Sequence, residues 1–181
     1  MPTVITHAFI GATLGQVGPP TVPRWRLATA LAVLSVFPDL DVIGFRFQIP
    51  YDHWLGHRGL SHSLIFAVVV ALIVARIEFR QLKLSSTHWW AVFGFCVVAI
   101  ASHGVLDALT DGGLGIAFFL PFDSGRYFFP IRPLAVSPIG LSNFVEGPAW
   151  AVLRSELIYV WLPLAAAVGL ARRLIDRRRT A

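Results

Sequence analysis

Charged side chains are scarce in this chain of 181 residues. Asp, Glu, Lys and Arg make up 14% of it, whereas soluble globular domains carry about 25%. Hydrophobic residues make up 56%. This balance favours an integral membrane protein over an unusually apolar soluble helical bundle.

Cysteine is nearly absent as well. The single cysteine, Cys96, lies within the apolar run 89–101. One cysteine excludes an internal disulfide and a cysteine-rich metal site. A metal site in this protein would therefore have to use histidine and carboxylate ligands.

Several other features are missing. The first residues lack the basic start of a cleavable signal peptide, and His7 and Gly11 interrupt the apolar run that follows. We find no internal repeat, low-complexity tract or linker, so a single membrane-embedded domain over 1–181 is expected. The absence of an inverted repeat or a pair of broken helices argues against a transporter.

No apolar run reaches the roughly 20 residues of a full membrane span unless its polar ends are counted. The runs therefore predict short helices whose polar ends lie at the membrane boundary. The segment 110–150 is rich in Gly, Pro and Phe and is expected to be irregular. The predicted fold is an all-α polytopic membrane bundle of four to five helices, with helices over 3–17, 27–43, 60–77, 89–108 and 157–172.

The basic residues predict an orientation for this bundle. If successive helices alternate in direction, ten of the 15 basic residues and two of the 10 acidic residues fall at one set of helix ends. The opposite ends hold the other five basic and eight acidic residues. Because basic residues flank the cytoplasmic ends of spans, the first set is predicted to be cytoplasmic and the second to face outward across the inner membrane. The ten basic residues are Arg24, Arg26, Arg76, Arg80, Lys83, Arg172, Arg173, Arg177, Arg178 and Arg179.

Histidines and aspartates collect at the predicted outer ends. The stretch 56–64, GHRGLSHSL, places His57 and His62 on either side of Gly59, which permits a sharp turn. Ser61 is predicted to cap the helix that follows. Each histidine or aspartate alone has a simpler explanation, as a boundary residue or a solvated turn, but their shared location predicts a metal site. The candidate ligands are His7, Asp39, Asp41, His57, His62, His103 and Asp107.

This ligand set also suggests a chemistry. His103 and Asp107 are four residues apart and so share one face of a helix. Histidine and carboxylate without cysteine suit zinc first, with manganese or iron as alternatives. The candidates exceed one tetrahedral site, so two metal ions sharing a carboxylate are considered. Such a site activates water for hydrolysis, most naturally of a phosphoester.

Three further residues have predicted roles beside the metal. Arg58 and Arg126 could neutralise a phosphate group, although contact with lipid headgroups is the alternative for both. Glu146 is a candidate ligand or general base. Membrane lipids are the expected partners, with a lipid-linked phosphate or another phosphoester as substrate. No nucleic-acid partner is expected.

The motifs resemble those of a known family, the membrane-bound metal-dependent hydrolases that include the YdjM-like inner-membrane proteins. The matching stretches are THA (6–8), FPDLD (37–41), GHRGLSHSL (56–64) and SHGVLDALT (102–110), with a looser match at Arg126, Tyr127, Pro130, Asn143 and Glu146. The resemblance covers residues 6–146, and Val42 departs from it where some relatives have a polar residue. It implies a membrane-embedded, metal-dependent hydrolase. The order of ligands is loosely similar to that of zinc-dependent phospholipase C.

A non-enzymatic interpretation competes with the hydrolase. In that interpretation the protein is a membrane scaffold or regulator, and its metal is structural. A structural site is closed, whereas a catalytic site keeps one coordination position open.

Overall fold

The computed structural model describes residues 1–180. Seven α-helices occur in that part of the chain, and no β-strand does. This confirms the all-α helical bundle expected from the apolar runs. The α-helices are α1 (Val4–Leu14), α2 (Arg24–Val36), α3 (Leu64–Glu78), α4 (Thr87–Ala108), α5 (Leu141–Glu146), α6 (Ala149–Glu156) and α7 (Leu162–Thr180).

Shorter helices extend several of these elements. A 3₁₀ helix, Phe37–Phe47, continues directly from α2, and a π-helix, Leu157–Trp161, joins α6 to α7. A 3₁₀ turn over Leu60–His62 precedes α3. Within residues 1–180, three continuous helices are long and apolar enough to cross a membrane, namely Arg24–Phe47, Thr87–Ala108 and Ala149–Arg177.

The other two helices of the bundle are shorter. The first apolar helix spans Val4–Val17. The 15 residues of α3 extend over about 22 Å, less than the roughly 30 Å of a bilayer core. The expectation of short helices with polar ends therefore describes α1 and α3 better than the other three.

Small residues allow the helices to pack closely. A side chain at Gly11 would meet the carbonyl oxygen of Leu31 at 2.2 Å, and one at Gly15 would meet the backbone of Ala28 at 2.4 Å. This GxxxG spacing brings α1 against α2, as small residues commonly do between membrane helices. The main core lies among α2, α3 and α4, where Ala67, Ala71 and Ala75 give α3 a narrow buried face.

The two ends of the bundle differ in chemistry. At one end, Arg24 pairs with Asp176 at 3.0 Å and Arg26 pairs with Glu78 at 2.8 Å. The histidine and aspartate candidates lie at the other end. The side chains of Arg178 and Arg179, which the charge count assigns to the basic end, lie outside the described part of the chain. The start of α2 and the ends of α3 and α7 thus lie together, in agreement with the helix directions assumed in the charge count.

One local expectation was wrong. Ser63, and not Ser61, caps α3, because its side chain accepts a hydrogen bond from the backbone N–H of Phe66 at 3.2 Å. His62 therefore precedes the α-helix. Asp39 and Asp41 lie within a 3₁₀ helix, because the chain continues beyond Val36 in that form. The segment 110–150 is mostly irregular, as expected, apart from α5 and two isolated β-bridges.

Candidate metal site at the polar end of the bundle

Four buried side chains offer ligand atoms that all lie within 4.8 Å of one another. They are Asp39, His62, His103 and Asp107. The 3₁₀ helix after α2, the turn before α3 and the last turns of α4 supply them. Their exposed fractions range from 0 to 7%, so this group lies in the interior of the bundle and not on its surface.

His103 turns one ring nitrogen toward a carboxylate. Its Nδ1 atom lies 2.7 Å from the carbonyl oxygen of Ser35. A carbonyl only accepts hydrogen bonds, so Nδ1 carries the proton in a neutral ring. The lone pair of Nε2 then faces the Oδ1 atom of Asp39 at 3.1 Å. Two acceptors at this distance need a cation or a proton between them.

His62 is oriented in the same way. Its Nδ1 atom lies 2.9 Å from Ser61 Oγ and 3.2 Å from Asp41 Oδ2, while the Ser61 hydroxyl donates to Asp41. The Nδ1 proton is therefore directed at these oxygens, and Nε2 faces both Asp39 Oδ1 and Asp107 Oδ2 at 3.8 Å. Burial lowers the pKa of His62 below its usual value, which favours the neutral ring that metals bind.

His7 adds a fifth potential ligand. Its ring stacks on that of His103, with centroids 3.7 Å apart and planes inclined by 17°. Its Nε2 atom lies 3.5 Å from Asp107 Oδ1. The first turn of α1 thereby reaches the same centre as the end of α4.

Six buried polar atoms of this site lack hydrogen bonds. Among the described residues, no hydrogen-bond partner reaches either ring nitrogen of His7, Asp39 Oδ2, His62 Nε2 or either carboxylate oxygen of Asp107. Most buried polar atoms in proteins are paired. Such a concentration of nitrogen and oxygen atoms without hydrogen bonds is the arrangement expected around a cation.

The charges lead to the same conclusion. Asp39, Asp41 and Asp107 are buried carboxylates, and Arg58 is the buried guanidinium beside them. With neutral imidazoles, the sum is −3 + 1 = −2. Buried charge is costly unless it is compensated, and one divalent cation would compensate this group. The residues present therefore fit a divalent metal ion.

Asp41 belongs to a second, adjoining group with His57 and His62. One carboxylate oxygen accepts from His57 Nδ1 at 2.7 Å, and the other accepts from Ser61 Oγ at 2.6 Å and from the backbone N–H of Arg58 at 3.2 Å. Residues two apart in a 3₁₀ helix point about 120° away from each other. This geometry separates Asp41 from Asp39 and directs it at the histidine loop.

The two arginines point into the protein. Arg58 has a left-handed backbone, with φ of 64°, and its Nε atom lies 3.0 Å from Asp107 Oδ2. Its other nitrogens donate to Gly112 O at 2.9 Å and Thr110 Oγ1 at 3.3 Å. Arg126 donates to the carbonyl oxygens of His57 and Tyr51, at 3.2 and 3.1 Å. Both guanidinium groups thus hold the loops around the site.

Glu146 is not brought to this group. It is exposed at the end of α5. Among the described residues, it belongs to neither of the two groups that could hold a metal ion.

A cavity of about 320 Å³ adjoins the site. His57, Arg58 and Tyr51 form its polar side, and Val136 and Ile139 from the irregular segment form part of its apolar side. A larger groove of about 690 Å³ runs between α2 and α3, and none of the metal-binding candidates lines it. Of the two, the smaller cavity is therefore the one that touches residues of the site.

Sequence comparison identifies the family. The family model described as YdjM inner membrane protein matches residues 1–179. The chain belongs to the YdjM family. It is also similar to the inner membrane protein YbcI of Escherichia coli (strain K12), with 37% identity over 171 residues, which cover 94% of this chain and 96% of that protein. No solved structure matches the chain.

Membership of the YdjM family agrees with the apolar helices and places the chain among inner membrane proteins. The expected resemblance to YdjM-like proteins is thus confirmed. The names of the family and of YbcI describe a membrane location and no reaction.

The site includes residues that sequence reasoning did not identify. Ser35 orients His103 through its carbonyl, Ser61 bonds Asp41, and Thr110 accepts from Arg58. A backbone carbonyl carries no sequence signal. A serine and a threonine are too common to stand out individually.

Proposed function

We propose that this YdjM-family protein binds one divalent metal ion at the polar end of its bundle and hydrolyses a phosphoester of a membrane lipid there. Asp39, His62, His103 and Asp107 would hold the ion, with His7 as a fifth ligand. The observation that carries the proposal is the convergence of buried nitrogen and carboxylate atoms on one centre, where several of them have no hydrogen bond.

A single ion fits better than two. Asp41 and His57 bond each other, and Asp41 also takes hydrogen bonds from Ser61 and the Arg58 backbone. This pair therefore serves to orient His62, in the manner of the carboxylates that commonly support metal-bound histidines. The mixed nitrogen and oxygen ligands favour zinc, with manganese or iron as alternatives.

The bound ion would supply Lewis acidity and lower the pKa of a coordinated water. The protein would hold the ion in position and shield it from bulk water. The buried ligands keep bulk water away, and Arg58 balances part of the charge of Asp107. His57 lines the neighbouring cavity, where it would contact a bound substrate.

The place of the cavity supports a lipid substrate. Its lining includes Met1, which precedes α1, and Gly113, which follows α4, and the ends of membrane helices lie near the level of the lipid headgroups. Tyr51 and His57 suit a polar headgroup, and Val136 and Ile139 suit the apolar part of the molecule. A lipid-linked phosphate or a phospholipid is therefore the proposed substrate class.

The experiment compares turnover and metal content. Purified protein loaded with zinc, manganese or iron is incubated with a panel of phospholipids and lipid phosphates, and phosphate or headgroup release is measured. His57→Gln keeps an amide N–H that can donate to Asp41, so it should retain the metal and lose most of the turnover. His53→Gln, an exposed residue of the same loop, is the control and should retain both.

A structural metal is the second candidate, and the near-complete burial of the ligands favours it. In that case metal removal would lower the thermal stability, but no member of the panel would be cleaved by the metal-loaded protein. Such a result would overturn the hydrolase and leave the metal site in place.

A further inference from the structure

A buried carboxylate in the last long helix takes no part in the proposed metal site. Glu156, the last residue of α6, is fully buried. Ionisable groups inside membrane helices are costly, and they tend to be retained for a function. The role of this one can be read from its partners.

All the donors to Glu156 come from the beginning of α1. Its Oε1 atom accepts from the backbone N–H of Thr3, and its Oε2 atom accepts from the hydroxyls of Thr3 and Thr6, each at 2.7 Å. Thr3 is the N-cap of α1. Glu156 therefore fixes the first turn of α1 against the last helix.

The hydrogen bonds around Glu156 fit an acceptor at this position. The Thr6 hydroxyl accepts from Trp161 Nε1 at 2.6 Å, and the Thr3 hydroxyl accepts from the backbone N–H of Thr6 at 3.3 Å. Each hydroxyl thus keeps its own proton available for Glu156, and the backbone N–H of Thr3 can only donate. The neighbouring π-helix, Leu157–Trp161, brings the indole to this network, and such π segments frequently occur at functional sites.

His7 follows Thr6 directly in the sequence. Neither of its ring nitrogens has a hydrogen-bond partner among the described residues. Its position depends on the backbone of the first turn of α1, on a hydrogen bond from Ser35 Oγ to its carbonyl oxygen at 2.6 Å, and on stacking against His103. Because Glu156 fixes that turn, it also helps to fix the position of the His7 ring.

We propose that Glu156 is a positioning residue for the metal site and acts through Thr3 and Thr6 to hold the imidazole of His7 at the metal centre. This inference rests on the proposed function, since it takes His7 to be a ligand. It assigns a role to a carboxylate that touches neither metal nor substrate.

The test measures zinc affinity in the full-length protein. Glu156→Gln preserves size, but its amide nitrogen cannot accept from the threonine hydroxyls. We expect its zinc Kd to rise by about ten- to a hundredfold, the range typical of groups that orient ligands. Glu78→Gln makes the same chemical change at the opposite end of the bundle, where Glu78 pairs with Arg26, and should leave the zinc Kd unchanged.

A double-variant comparison separates positioning from general destabilisation. If Glu156 acts through His7, then Glu156→Gln should have no further effect on zinc affinity in a His7→Ala background. An equal loss of affinity in both backgrounds would overturn the inference, because Glu156 would then act on the whole bundle. An unchanged Kd in Glu156→Gln alone would also overturn it, while leaving the proposed metal site intact.

Two milder variants cover the case in which Glu156→Gln does not fold. Thr6→Val removes the hydroxyl that joins Glu156 to Trp161, and Thr6→Ser keeps it. Zinc affinity should fall in Thr6→Val and be restored in Thr6→Ser. Equal affinity in the two variants would contradict the inference. Absence of metal from the unmodified protein would overturn the proposed function and this inference together.

Discussion

The Nε2 atom of His103 faces the Oδ1 atom of Asp39 at 3.1 Å. The other ring nitrogen of His103 is bonded to the carbonyl oxygen of Ser35. A neutral imidazole in this position presents a lone pair to a negative oxygen, which is repulsive. A metal ion coordinated by both atoms would convert this repulsion into attraction.

Metal removal should therefore destabilise the folded protein. A ligand present at a hundred times its Kd stabilises the folded state by about 2.7 kcal/mol. We expect a chelator to lower the unfolding temperature of the unmodified protein in detergent. The control is Asp107→Ala, which should unfold at the same temperature with and without chelator. Identical melting of the unmodified protein in both buffers would count against the site.

Asp41 should behave as an orienting residue and Asp39 as a ligand. Asp41→Asn disturbs the hydrogen bonds to His57 and to Ser61 and should weaken metal binding by about ten- to a hundredfold without abolishing it. Asp39→Asn should lose the metal. The exposed Asp52 provides the control, Asp52→Asn. If Asp41→Asn lost the metal as completely as Asp39→Asn, Asp41 would be a ligand and a second ion would have to be considered.

Gly113 is required by the position of Arg58. Its φ is +92°, and a Cβ atom there would lie 2.3 Å from Arg58 Nη1. Gly113→Ala should displace the guanidinium from Asp107 and cost about 1–3 kcal/mol of stability from the backbone conformation alone. Gly94→Ala is the matched control, because a Cβ atom at that position would meet no neighbouring heavy atom within 4 Å. Thermal unfolding of both variants measures the difference, and equal melting temperatures would contradict this role.

The basic end of the bundle should face the cytoplasm. A reporter that is active only in the cytoplasm should be active when fused after residue 181 and silent when inserted near Asp111. The reason is the concentration of basic residues at the ends that hold Arg24 and Arg26. The reverse pattern would turn the metal site toward the cytoplasm, and it would leave the ligands unchanged.

Much of this architecture was predictable from charge and apolar patterning. The helix directions follow from where the polar residues interrupt apolar runs, and these directions bring His62, His103 and Asp107 to one end. The spacing of His103 and Asp107 needed only the helical period. The fold and the grouping of these candidates thus depend on regular helix geometry, which the sequence encodes locally.

The roles of individual residues within the site were not predictable in the same way. The 3₁₀ geometry of Phe37–Phe47 decides whether Asp39 and Asp41 act together. A continuous α-helix or a loop in this segment would have directed their carboxylates differently. The inward direction of Arg58 depends on a left-handed backbone and on Gly113, far away in the chain.

The sequence contains a signal for Glu156 that does not depend on the structure. Glu156 lies in the apolar part of the long helix Ala149–Arg177, whose other acidic residue, Asp176, is at the basic end. An acidic residue in such a position marks a functional candidate in a membrane protein. Its partners, Thr3 and Thr6, are about 150 residues away in sequence. Only the packing of the first helix on the last one connects them.

The most direct test of the metal site is the metal-to-protein ratio of purified protein, measured by elemental analysis. The unmodified protein should carry one divalent ion per chain, and His62→Ala and Asp107→Ala should carry none. His88→Ala, at the beginning of α4 and so at the opposite end of the bundle, should retain the full ratio. Unchanged metal in His62→Ala and Asp107→Ala, or equal loss in all three variants, would contradict a metal site built from these residues.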